Sequence, residues 1–156
     1  LIVHAPQNLS TFPMRGKSIL VGSCGFFLRN FMFFTIPVEL YNVYIFFSCG
    51  QSDEELLKWL KSTRQPIPEN FNKKSTYGNG YNFRFENGNQ LIRLENPEIE
   101  SVAFYEALTH EVAHASFDIL YKAGMKLSLD SEEAFTYLIG FINKKIISKI
   151  SKVPKK

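Results

Sequence analysis

The chain has 156 residues, of which 45% are hydrophobic and 21% charged, with a formal net charge of +3. This is the composition of an ordinary globular domain, long enough to bury most of the surface its unfolded chain exposes, and it excludes a strongly basic nucleic-acid-binding domain. Lys144, Lys145, Lys149, Lys152, Lys155 and Lys156 fall within the last thirteen residues, so the positive charge belongs to a solvated helix end and tail, and no nucleic-acid partner is expected.

The first thirty residues show little regular pattern. Met14-Arg15-Gly16-Lys17 followed by Ser18 to Leu28 imitates a signal peptide, but Arg29 and Asn30 interrupt the apolar run well short of the ~18 residues of a membrane span, and no A-x-A-like cleavage site follows. The expected organisation is an irregular or non-native N-terminal extension over 1–31, a folded domain over 32–150 and a basic tail over 151–156. No transmembrane segment is expected. A cytoplasmic location is expected, with secretion as the alternative if residues 14–28 act as a signal peptide. Cys24 and Cys49 match no paired metal-ligand or redox spacing and read as buried, reduced thiols.

From Phe33 to Ser48 the residues are aromatic and β-branched, with Pro37 as a break, and Val43 to Phe47 reads as a strand buried on both faces. Ser52-Asp53-Glu54-Glu55 supplies a capping box for a helix reaching about Thr63, with Leu56, Leu57 and Leu60 as its apolar stripe and Pro66 and Pro68 as its stop. Residues 69–80 read as a surface loop. Tyr81, Phe83 and Phe85 then alternate with polar residues as a half-buried strand, Asn87-Gly88 makes a tight turn with φ > 0 at both positions, and Leu91 to Leu94 returns. Asn96-Pro97 opens a long helix that Gly124 closes near Ala123. Asp130-Ser131-Glu132-Glu133 starts a final helix running to Ile150.

Inside the long helix lies His110-Glu111-Val112-Ala113-His114. Residues four apart share a helix face, so His110 and His114 present two imidazoles to one Zn²⁺ ion, the cofactor such nitrogens suit. Glu111, turned about 100° from His110, is placed to act as general base on a metal-bound water and ill placed to bind the metal. A catalytic zinc normally has three protein ligands and an open position. The candidate third ligand is Glu133, nineteen residues after His114 and across the Gly124 turn, although the same glutamate could bond the backbone in a capping box with Asp130. Glu132 and Asp118 are its rivals, Asp118 being better suited to a hydrogen bond onto His114. His4, Tyr137 and Glu106 are weaker candidates, Tyr137 as an oxyanion donor.

The motif together with Glu132-Glu133-Ala134-Phe135 resembles the gluzincin metallopeptidases, and the chain is also similar to small HExxH proteins of phages and their bacterial hosts. The resemblance covers about Asn82 to Ile142. It implies an α+β, zincin-like domain in which a short antiparallel sheet or hairpin packs on a metal-binding helix and a C-terminal helix, with His110, His114 and Glu133 holding zinc and Glu111 catalytic. It also implies peptide or protein substrates that pair with an edge strand, a place that Leu91 to Leu94 occupies. The expected activity is zinc-dependent hydrolysis of peptide bonds. The alternative is a non-catalytic phage or mobile-element structural or accessory protein with a structural or vestigial zinc site.

Overall fold

The computed structural model describes residues 32–65, 67, 80–95 and 98–152. The proposed extension over 1–31, with His4, Cys24 and the signal-like run, lies outside the described residues, as do Pro66, Pro68, Asn96, Pro97 and the last four residues.

Two strands open the fold, β1 (Met32–Val38) and β2 (Val43–Cys49), joined through a single 3-10 turn at Glu39–Tyr41. Pro37 does not break β1, contrary to the sequence reading. Among the described residues the strand lies at an edge of the sheet, where a residue lacking N–H costs no ladder bond if it faces outward, and Pro37 stands opposite Tyr44. Helix α1 (Asp53–Ser62) begins as its capping box requires: the Glu55 amide donates to Ser52 Oγ at 3.2 Å, and the Ser52 amide donates to Glu55 Oε2 at 3.0 Å.

Strands β3 (Gly80–Arg84) and β4 (Gln90–Leu94) form the hairpin. Its turn differs from the expected two-residue form. The Phe85 amide donates to Asn89 O and the Gly88 amide to Phe85 O, and among the turn residues Gly88 alone has positive φ, at 93°. This is a three-residue loop ending in a left-handed glycine, with Asn87 Oδ1 accepting from the Asn89 amide at 3.0 Å.

The sheet is mixed rather than antiparallel, in the order β1-β2-β4-β3, because β2 and β4 pair in parallel. Helix α1 and the chain leading to β3 intervene between them, which gives the parallel pair the crossover it needs. The edge place expected for Leu91 to Leu94 belongs to another strand. Leu91 to Leu94 is interior to the sheet and wholly buried, and among the described residues the edge strand beside the long helix is β3.

Each sheet face carries its own core. Phe46, Phe83, Phe85 and Leu91 meet Leu56 and Leu60 of α1, whereas Ile45, Phe47, Ile92 and Leu94 meet the two long helices, α2 (Val102–Lys122) and α3 (Glu132–Ile150). The domain is therefore α+β, with the sheet packed on the motif-bearing helix and the C-terminal helix. Helix α2 starts at Val102, later than expected, with the Phe104 amide donating to its cap Ser101 Oγ at 3.1 Å. It ends as Gly124 predicts. With Gly124 at φ 84°, its amide donates to Tyr121 O and the Met125 amide to Leu120 O, the paired bonds of a Schellman ending. Among the described residues no helix is long and apolar enough to cross a membrane.

Candidate metal site on helix α2

Helix α2 buries Phe104, Leu108, Val112, Ala115 and Ile119 against the sheet, a stripe at spacings of three and four. Glu111 falls within this buried stripe at 7% exposure, while His110 and His114, rotated from it, are exposed. The motif thus divides between two environments, with its carboxylate beneath the sheet edge and its imidazoles facing out.

His110 Nε2 and His114 Nε2 lie 3.0 Å apart, with ring centroids at 4.7 Å and planes at 77°. Two nitrogens each about 2.0–2.1 Å from one ion can be separated by such a distance, so the pair fits two ligands of one zinc. Without an ion, one Nε2–H donating to the other nitrogen satisfies the same separation.

Burial pushes the Glu111 carboxyl above its ordinary value, and the adjacent His110 and His114 pull it partly back. Strand β3 contributes to that burial. A Cβ placed on Gly80 would lie 2.8 Å from Glu111 Cγ and 3.1 Å from Glu111 Oε1, so the strand backbone passes directly over this side chain. Sequence reading missed Gly80, assigning it to the preceding loop. The available signal was a glycine at the start of an alternating strand, which marks a close approach of two backbones or of backbone to side chain.

The other candidates are not gathered at the pair. Asp118 accepts from Arg84 Nη1 at 3.3 Å and from Asn82 Nδ2 at 3.4 Å, so it ties α2 to the edge strand in place of the bond to His114 that its spacing suggested. Glu132 and Glu133 are exposed in the first turn of α3. The Phe117 and Phe135 rings meet at 5.1 Å, so α3 returns beside α2 with Phe135 level with a residue one turn beyond His114. Glu133 lies two residues, or about 3 Å of helix rise, further toward the connecting turn.

The capping role proposed for Glu133 is not formed either. The N-cap of α3 is Ser131, which makes no side-chain cap bond, and its Oγ donates instead to Lys126 O at 2.6 Å. Among the described residues, no third His, Cys, Asp or Glu joins the histidine pair in a metal-holding group.

Glu106 is exposed one turn before His110. Tyr137 is 75% exposed and lines a cavity of about 510 Å³ with Pro37, Leu40 and Phe141, on a flank of α3 to which α2 contributes nothing. It is a surface tyrosine there, not a donor aimed between the histidines.

The edge strand completes the surroundings. Because the Phe85 amide faces β4, alternation turns the amides and carbonyls of Phe83 and Tyr81 the same way and leaves those of Gly80, Asn82 and Arg84 toward the side away from β4, where no strand pairs among the described residues. The contacts Gly80 with Glu111, Arg84 with Asp118 and Lys122 Nζ with Glu86 O at 3.1 Å run in step along both elements, so β3 lies along α2 in the same direction. No family model, curated protein or solved structure matches this chain.

Proposed function

We propose that the protein is a zinc-dependent hydrolase, a small metallopeptidase. The observation that carries this reading is the convergence of His110 Nε2 and His114 Nε2 to 3.0 Å beside the buried Glu111. His110 and His114 would hold the ion, and Glu133, exposed in the first turn of α3, is proposed as the third ligand, which requires that turn to move toward the pair. Zinc, when bound, supplies Lewis acidity that lowers the pKa of water to about 7 and polarises a carbonyl.

The chain's own residues supply the rest. Glu111 takes the proton of the attacking water on its carboxylate and returns it to the leaving amine; a carboxyl raised by burial is suited to both halves of that transfer. The edge of β3 that pairs with no strand among the described residues would offer the backbone groups of Asn82 and Arg84 to an extended peptide, which would add as a further strand and lie along α2. The substrate class is therefore an unfolded or extended polypeptide segment.

The second reading is a non-catalytic phage or mobile-element structural or accessory protein with a structural or vestigial zinc site. It is favoured by Glu133, which is exposed and among the described residues joins no metal-holding group with the pair. Two measurements separate the readings. Metal analysis after dialysis should find one equivalent of zinc, lost in His114→Ala and weakened in Glu133→Ala. Digestion of a peptide library should be abolished in Glu111→Gln with zinc retained. Zinc without cleavage supports the second reading, and no zinc removes the site.

A further inference from the structure

We infer that Gly80 is the positioning residue of this site: its missing side chain lets the edge strand press onto Glu111 and hold that side chain beside the histidine pair. The inference rests on the reading of Glu111 as the general base, and its steric half stands on geometry alone.

A Cβ at Gly80 would sit 2.8 Å from Glu111 Cγ, 2.9 Å from Leu94 Cδ2 and 3.1 Å from Glu111 Oε1. Two of these contacts are closer than real Cβ atoms approach a neighbour. Neither neighbour yields easily: Leu94 is fully buried, and Glu111 Cγ is the middle of a side chain only 7% exposed. The backbone conformation does not call for glycine, because φ at Gly80 lies outside the left-handed region. The residue is there for space.

Three other glycines show the contrast. Gly124 and Gly140 have nothing within 4 Å of a Cβ, and Gly88 would meet the flexible end of Lys122. Of these four, Gly80 alone has its close approach to a side chain of the site.

The consequence for chemistry follows from how strictly a general base must be placed. It works within hydrogen-bond reach of the proton it takes, and misplacement by about 1 Å costs on the order of 10²-fold in rate. On the exposed helix face a glutamate would sample several rotamers. Under β3 the backbone closes off the space those rotamers would use, and Asp118 holds the strand down through Arg84 and Asn82. Gly80 therefore acts through Glu111, not on substrate.

Two readouts test this. Thermal unfolding of the zinc-loaded wild type, Gly80→Ala, Glu111→Ala and the double variant forms a cycle. Gly80→Ala should lower Tm by about 5 °C in the wild-type background, as ~1–3 kcal/mol of overpacking does in a domain of this size, and by no more than half of that once Glu111 is alanine. Equal losses in both backgrounds overturn the seat.

The second readout is steady-state cleavage of the quenched fluorescent library peptide that the wild type cuts fastest. Gly80→Ala should lose at least about tenfold in kcat, with KM within twofold and zinc content unchanged. Wild-type kcat in Gly80→Ala overturns the positioning role. A wild type that cuts no peptide overturns the hydrolase reading and the catalytic half of this inference, while the thermal cycle still decides whether Gly80 seats Glu111.

Discussion

Arg84 Nη1 donates to Asp118 Oδ1 across 3.3 Å, joining β3 to α2 one turn past His114. Asn82 Nδ2 adds a longer contact to the other carboxylate oxygen. The pair is half exposed on the arginine side and a third exposed on the aspartate side, so water screens it and its worth is under about 1 kcal/mol. Asp118→Ala should accordingly lower the urea-derived stability by less than ~1 kcal/mol and leave zinc content unchanged. Loss of zinc would make Asp118 a ligand and contradict its assignment to the strand.

Gly124 and Gly140 make a matched pair, since an added Cβ meets nothing at either. Gly124 sits at φ 84° as the helix ending, where alanine is strained by about 1 kcal/mol. Gly140 lies within α3 in ordinary helical conformation, where alanine is favoured by roughly 0.5–1 kcal/mol. Urea midpoints should fall for Gly124→Ala and rise for Gly140→Ala. The same sign at both would contradict the backbone assignment of one of them.

Cys49 is fully buried, and loss of hydration pushes its thiol from 9.0 up to about 12. The folded state therefore keeps its proton where the unfolded chain releases one. The associated stability is complete below pH 9 and is lost as the pH rises toward 12, with a slope of up to about 1.4 kcal/mol per pH unit. In a Cys24→Ser background, stability measured from pH 8 to 11 should fall more steeply than in the same protein carrying Cys49→Ala. Parallel curves would contradict the burial of this thiol.

Features set by neighbouring residues were legible in the sequence. The Ser52–Glu55 capping box, the hairpin around Asn87-Gly88 and the glycine ending of α2 each depend on a few adjacent side chains, and each forms. The histidine pair was legible for the same reason, because spacing on one helix fixes it. What was not legible depends on distant segments. The parallel pairing of β2 with β4 makes Leu91–Leu94 interior, and among the described residues β3 is left as one edge and β1 as the other, where Pro37 is tolerated. Gly80 reads as loop until the strand it begins is laid over Glu111. Glu133 shows the limit most clearly. Nineteen residues from His114 can be divided between helix and turn in several ways, and here α2 continues two turns to Lys122, so α3 starts beyond the level of the histidines.

Phe135 is the hinge of that placement, buried at 3% and packed on Phe117. Phe135→Ala should cost about 3–5 kcal/mol, as aromatic-to-alanine changes in a core do. Because the ring sets where α3 meets α2, it should also weaken zinc retention by changing the reach of Glu133. Wild-type zinc affinity in a folded Phe135→Ala protein would remove Glu133 from the proposed ligand set.

The most direct test is the pair of wild type and Glu111→Gln, each assayed for bound zinc and for cleavage of a peptide library. Glutamine keeps the shape of the buried side chain and removes its capacity to take a proton. One equivalent of zinc in both proteins, with cleavage by the wild type alone, is the expected result. Equal cleavage by the two, or no zinc in the wild type, would contradict the proposed site.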